Sequence, residues 1–353
     1  MSRALAAINL AAIERNCAQL AAMAPQLCAV VKANAYGHGA VECSRAALAG
    51  GASWLAVAAA VEASELRAGG VRAPILVMGA LTRDELELAL DADADVVAWS
   101  DQFLDWLAGL GGGRVHVKLD SGMGRLGTRD GVLADRLAAR VASEPGLALA
   151  GAMTHLATAE EPDRSFMESQ LARFESWVAP LRERSPGLLV HAENSAALLG
   201  AGRGRFDMAR CGGAVYGLDP FGVGPAQWGL EAALELHSWV ADVKRFAAGD
   251  SAGYGRRFVA TEATELAVVP VGYGDGVRRL PVVGTVSMDN VTVDLGLGGG
   301  VAVGAVVTLI GSDGAERIAA EEVAARQGTI NYEVTCAVSP RVPREYHRDG
   351  VAA

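Results

Sequence analysis

Through the first two-thirds of the chain, short apolar runs alternate with amphipathic stretches. The pattern predicts strands at 27–31, 54–58, 75–78, 96–99, 115–119, 147–154, 188–192 and 207–210, with helices between most of them. Thr82 followed by Glu85 marks one helix start as a capping box, and the longest helix is expected from about Asp163 to Arg184. Eight such β/α units point to an α/β fold of the (β/α)8 TIM-barrel type; a doubly wound open sheet is the alternative. From about Gly229 the texture changes to strand-like runs such as LHSWVADV, ELAVVPV and GAVVTLIG, separated by Gly-rich turns, with one evident helix near Glu321–Arg326. The expected division is a barrel over 10–229 and a mainly β domain over 230–353, to which residues 1–9 could add a strand.

On the barrel reading the polar residues at strand ends acquire a pattern. Lys32 ends unit one, Lys118 and Asp120 unit five, His155 unit six, Asn194 and Ser195 unit seven and Arg210 unit eight. Catalytic residues of this fold lie at the C-terminal ends of the strands, so these positions converge on one mouth. The stretch LCAVVKANAYGHG, Leu27 to Gly39, is the sharpest case: a buried strand runs out at a lysine and enters a loop with two glycines and Tyr36. Lys32 is either a surface lysine snorkelling to water or a Schiff-base lysine holding pyridoxal phosphate. For such a cofactor's phosphate, the loops after strands seven and eight offer Ser195 and Gly212-Gly213.

Composition narrows the field. A net charge of -10 and 51% hydrophobic residues fit a chain with sizeable cores and argue against nucleic acid or an anionic membrane as partners. The five cysteines, 17, 28, 43, 211 and 336, form no CxxC, which suits reduced thiols and a cytoplasmic location; no metal-ligand spacing stands out. The N-terminus lacks a basic region followed by an uninterrupted apolar run, because Asn9, Glu14, Arg15 and Asn16 break it. Gly122, Gly124 and Gly127 in SGMGRLG match the dinucleotide fingerprint, but they follow the fifth strand rather than the first and enclose Arg125, so the match reads as a decoy.

The segment VVKANAYGHG resembles the bacterial alanine racemases, and so, in the same order, do VKLDSGMGRLG, MTHLA, AENSA, ARCGGAVYG, SAGYG, PVGYGDG, VSMDN and INYE, spanning nearly the whole chain. The resemblance implies a pyridoxal-phosphate enzyme that interconverts L- and D-alanine through an external aldimine, with Lys32 and Tyr254 as the two bases. It implies that Tyr36 and Tyr332 add hydroxyls to the phosphate site, and that Arg210 donates to the pyridine nitrogen so that the nitrogen stays unprotonated. Arg125 would face the cofactor phenolate and substrate carboxylate, aligned by a carbamate on Lys118; an unmodified Lys118 bonding Asp120 is the alternative. Tyr254, Tyr273 and Met288, with Asp275 and Asp289 in the same segments, would reach the barrel mouth of the other subunit in a homodimer. His155, cationic or polarised by Arg210, would help Tyr254. Thr285, Ser287, Val277 and Asn9 depart from the family's usual residues, Thr285 and Val277 at the entrance.

The product D-alanine would serve peptidoglycan synthesis. Within the same chemistry, a racemase for serine or several small amino acids is the alternative. A barrel decarboxylase is disfavoured by Arg210, since that chemistry pairs the pyridine nitrogen with a carboxylate. A non-catalytic cofactor-binding barrel leaves Tyr254 and its domain without a role.

Overall fold

The computed structural model describes residues 2–276 and 283–353; Val277 lies outside them. The chain divides into two compact units, one of residues 12–221 and 225–231, the other of residues 1–11, 222–224 and 232–353.

The first unit is built on eight strands: β1 Leu27–Val30, β2 Trp54–Val57, β3 Ile75–Val77, β4 Asp95–Ala98, β5 Gly113–Lys118, β6 Leu147–Met153, β7 Leu189–His191 and β8 Ala209–Cys211. Every ladder is parallel, in the order β7-β6-β5-β4-β3-β2-β1-β8. The seam between β7 and β8 is closed by single hydrogen bonds, Asp207 N to Val190 O (3.0 Å) and Arg210 N to Glu193 O (2.9 Å). The strands of the sequence pattern are therefore all present, and the barrel, not the open sheet, is their arrangement. Most are short apolar segments buried on both faces because helices cover the outside. Inside, Cys28, Val30, Ala56, Leu76, Val97, Met153 and Met208 form the packed centre.

The helices follow their sequence signals. Thr82 caps Arg83–Asp91, its Oγ1 accepting from Glu85 N while Glu85 Oε2 accepts from Thr82 N (2.8 Å). Ser165–Arg184 buries Met167, Leu171, Phe174, Val178 and Leu181, a stripe at three- and four-residue spacing.

The second unit holds a six-stranded sheet in which Leu5–Asn9 lies between Leu234–Trp239, antiparallel, and Arg344–Arg348, parallel. A three-stranded antiparallel sheet joins Asp242–Phe246, Thr264–Val269 and Val291–Gly296. Besides the expected helix, here Ala320–Gln327, a second short helix spans Asn331–Cys336; six residues are too few to show helical periodicity in the sequence.

Candidate active site

Lys32 emerges at the C-terminal end of β1 into an unusual turn. Ala33, Asn34, Ala35 and Tyr36 all adopt left-handed helical angles, with φ between 51 and 55°. For residues with a Cβ this conformation costs roughly 1–2 kcal/mol each, so the surroundings must hold it. They do so at several points. The Glu62 carboxylate accepts from Ala33 N (2.6 Å) and from Ala58 N and Ala59 N, and Asn34 Oδ1 accepts from Ala40 N. The buried His38 ring reaches back with Nδ1 3.0 Å from the Ala35 and Tyr36 carbonyls and stacks on Tyr216, whose hydroxyl donates to Val30 O (2.9 Å). The turn directs Tyr36 toward the loop after β8: a Cβ at Gly212 would sit 2.2 Å from Tyr36 Oη. Gly212 is thus glycine because a phenol lies against its backbone.

At the neighbouring strand ends, Asn194 caps Ser195–Ala201, its Oδ1 accepting from Ala197 N. Ser195 is left for another task, and its buried Oγ accepts from Gly212 N (3.0 Å) and Ala214 N (3.4 Å). Tyr36, Ser195, Gly212 and Gly213 therefore form one cluster of hydroxyls and close backbone.

Arg210, inside β8, is the centre of the floor. It is 3% exposed. Its Nη1 meets His191 Nδ1 at 2.6 Å, and its Nη2 donates to Thr154 O (2.8 Å), Ala192 O (3.1 Å) and His155 Nδ1 (3.4 Å). All four acceptors are uncharged when the imidazoles are neutral. A guanidinium has five N–H groups, so Nε–H and the second Nη1–H remain for a ligand. Burial, then the Arg210 charge, followed by Arg125, Lys118 and Lys32, pushes His155 well below the usual histidine range. This direction favours neutral His155, and a bond donated by Arg210 to Nδ1 goes with the tautomer that carries its proton on Nε2.

Lys118 ends β5 almost completely buried. Burial and the Arg210 and Arg125 charges lower its pKa to about 8, against a smaller opposing pull from Asp120. Asp120 does not bond the lysine; its carboxylate accepts from Gly122 N and Gly124 N. This settles the glycine-rich loop as well. Its amides are already turned onto a carboxylate, which would repel a diphosphate, and Arg125 stands exposed on it. Gln170, from the long helix, donates to His155 O (3.1 Å) and accepts from Ala157 N, holding the loop that carries His155.

In the second unit, Tyr254 and Tyr273 begin 3-10 turns and are 75% and 54% exposed; Met288 is 52% exposed. Their segments are tied together: Thr285 Oγ1 donates to Tyr254 O, Tyr273 N to Ser287 O and Gly274 N to Met288 O. Asp275 and Asp289 are occupied by Arg3 and Arg341, the buried Asp275 pairing with Arg3 at 2.7 Å and Asp289 with Arg341 at 2.7 Å, so they brace this surface rather than present acids on it. Tyr332 lies half-buried in the short helix Asn331–Cys336.

Glu62, His38, Tyr216, Gln170, His191, His116 and Asp95 did not stand out in the sequence. For His116 a signal existed, because it lies two residues before Lys118 on the same strand and so shares its inward face.

Fold and site together define a barrel enzyme with a strand-end lysine, a buried arginine floor and an attached β domain. The chain belongs to the alanine racemase family: the N-terminal domain of that family matches residues 8–220 and its C-terminal domain residues 233–346. It is 38% identical over 366 residues to alanine racemase 1 of Bacillus subtilis, covering 98% of this chain and 93% of that one. Among solved structures, the alanine racemase of E. faecalis matches with a TM-score of 0.90 at 36% identity, covering 98% of both chains. That of Bacillus anthracis with bound L-Ala-P matches with a TM-score of 0.90 at 34% identity over 100% of this chain and 97% of that one.

Proposed function

We propose that the protein is an alanine racemase, an isomerase that interconverts L- and D-alanine with pyridoxal 5'-phosphate and supplies D-alanine for peptidoglycan. The observation that carries the reading is the cationic mouth. In a chain of net charge -10, four cations from three strand ends and one loop, Arg210, Arg125, Lys118 and Lys32, all bear on His155. Such a mouth complements a phosphorylated cofactor and a substrate carboxylate. The residues fit the cofactor: the crowded Tyr36–Gly212 contact and the Ser195 hydroxyl suit a phosphate, and Arg210 keeps donors for a ring nitrogen.

Bound pyridoxal phosphate would supply a carbonyl that engages the substrate amine and a ring that draws electron density from Cα. Arg210, cationic at neutral pH, would donate toward the ring nitrogen and keep a proton off it, which would weaken the electron sink and favour returning the proton to Cα. Lys32 Nζ takes or returns the Cα proton on one face, and Tyr254 Oη on the other. Neutral His155, with its proton on Nε2, can donate to a phenolate and so help Tyr254, whose ordinary pKa is about 10. We assign the phosphate to Tyr36, Asn194, Ser195, Gly212, Gly213 and Tyr332, and the substrate carboxylate to Arg125, Met288 and Tyr273. A homodimer would bring the exposed face of Tyr254 and Met288 to the partner's mouth. Lys118, with a pKa near 8, has an appreciable neutral fraction at neutral pH, as attack on CO2 to form a carbamate requires. The five free thiols fit a reducing compartment such as cytoplasm.

The test is direct. The purified protein should show the absorbance band of lysine-bound pyridoxal, lost in Lys32→Ala, and should convert pure L-alanine to a racemic mixture. Loss of alanine with release of CO2 would instead identify a decarboxylase. Equal efficiency on alanine and serine would identify a broader racemase, a hydrophobic pocket separating one small group by only about 1–3 kcal/mol.

A further inference from the structure

A line of four hydrogen bonds runs through the barrel interior from one rim to the other. Arg114, 46% exposed by side chain, donates from Nε to Asp95 Oδ1 (2.5 Å). Asp95 Oδ2 is 3.1 Å from His116 Nε2, His116 Nδ1 is 2.7 Å from His191 Nε2, and His191 Nδ1 is 2.6 Å from Arg210 Nη1. Asp95 is the first residue of β4 and Arg210 lies at the level of the carbonyls that follow β6 and β7, so the line spans the depth of the barrel. Asp95, His116 and His191 are all at most 1% exposed. Gly151 on β6 leaves room for it, since a Cβ there would lie 2.2 Å from His116 Nδ1.

The ends of this line dictate its protons. An ionised carboxylate only accepts and a guanidinium only donates. Asp95 must therefore receive N–H from His116 Nε2, which leaves His116 Nδ1 bare. Bare Nδ1 must receive N–H from His191 Nε2, which leaves His191 Nδ1 bare to accept from Arg210. Both imidazoles are neutral and both carry their proton on Nε2. Reversing or protonating either ring would set two N–H groups against each other somewhere on the line.

We propose that Asp95, His116 and His191 form a one-directional hydrogen-bond chain that fixes the rotamer of Arg210, so that its remaining N–H groups stay aimed at the mouth. They are positioning residues, acting on the reaction only through Arg210. Burial and the Arg210 charge hold His191 well below the ordinary histidine range, in keeping with its neutral role; Asp95, despite burial, stays below the carboxylate range through its bonds to His116 and Arg114. The chain does not conduct protons, because Arg210 does not release one. Arg114 completes it by claiming one Asp95 oxygen and holding the other toward His116.

The functional consequence rests on Arg210 being the cofactor's donor, whereas the tautomer order is measured independently of that reading. In 15N-histidine NMR of the holoenzyme, His116 and His191 should both appear as Nε2–H tautomers. Asp95→Asn leaves one oxygen for two donors; Arg114 takes it, the amide NH2 faces His116, and both rings should switch to Nδ1–H. Pyridoxal phosphate should then bind at least tenfold more weakly, with kcat falling more than KM rises. Adding Arg114→Ala frees the amide oxygen to accept from His116, and should restore both the tautomers and the affinity, a rescue that a merely structural defect would not show. An Nδ1–H tautomer or an imidazolium at either position in the unaltered protein overturns the proposal. So does weakened cofactor binding in Asp95→Asn with unchanged tautomers, or failure of the double variant to recover.

Discussion

Glu62 Oε1 accepts a hydrogen bond from Ala33 N at 2.6 Å, tying the helix that follows β2 to the left-handed turn that follows Lys32. The same carboxylate takes the Ala58 and Ala59 amides, so one side chain joins the helix start to the lysine's turn. Removing it leaves the first of four left-handed residues without its anchor. Glu62→Ala should cost about 1–3 kcal/mol in urea unfolding and speed hydrogen exchange at the amides of 33–36. Racemisation should fall with it, because the position of Lys32 depends on this turn. Unchanged exchange would show that His38 and Asn34 hold the turn alone.

Gly212 faces Tyr36 so closely that Gly212→Ala must displace the phenol. The expected result is a folded barrel with cofactor affinity reduced tenfold or more, measured by equilibrium dialysis of pyridoxal phosphate. Tyr36→Phe, which only removes the hydroxyl, should give a smaller loss.

Lys118 carries a cost of burial. Its folded pKa of about 8 lies below the 10.5 of an unfolded lysine, so between these values the unfolded chain binds more protons and stability rises with pH. Below about pH 8 the full penalty is present. Lys118→Met should therefore stabilise the protein near pH 7 in CO2-free buffer by about 1–3 kcal/mol, the gain vanishing toward pH 10.5. Activity should drop, a trade-off common at functional sites. Adding bicarbonate should stabilise the wild type and leave Lys118→Met unmoved.

Tyr254 is three-quarters exposed within its own chain, so Tyr254→Phe should leave unfolding unchanged. With two bases, Cα hydrogen exchange in heavy water should slow strongly and become unequal between L- and D-alanine. Wild-type rates in both directions would exclude a proton-transfer role for its hydroxyl.

If the mouth is completed across a two-fold axis, inactive Lys32→Ala and inactive Tyr254→Ala chains should complement each other. Random mixing in equal amounts should return about a quarter of wild-type activity, since half the dimers are mixed and each has one intact site. An active monomer by sedimentation would refute the shared site.

The barrel was legible because each strand is a short apolar run bounded by amphipathic helices, a one-dimensional signal that survives without coordinates. Lys32, Lys118, His155, Ser195 and Arg210 were legible as polar residues where such runs stop. The left-handed turn was not, because Ala33, Ala35 and Tyr36 ordinarily avoid positive φ, and the conformation is held by contacts from Glu62, Asn34, His38 and Tyr216. Likewise Asp95 reads as an unremarkable polar residue at a strand start, and His116 signals no more than the face it shares with Lys118. Their roles appear only when parallel strands bring four distant positions into line inside the barrel, where burial makes each buried donor require an acceptor. The one-dimensional pattern is enough to say which elements form and which chemistry is available. Long-range packing set which buried groups hydrogen-bond one another, which lysine has its pKa lowered, and which strained backbone can be held.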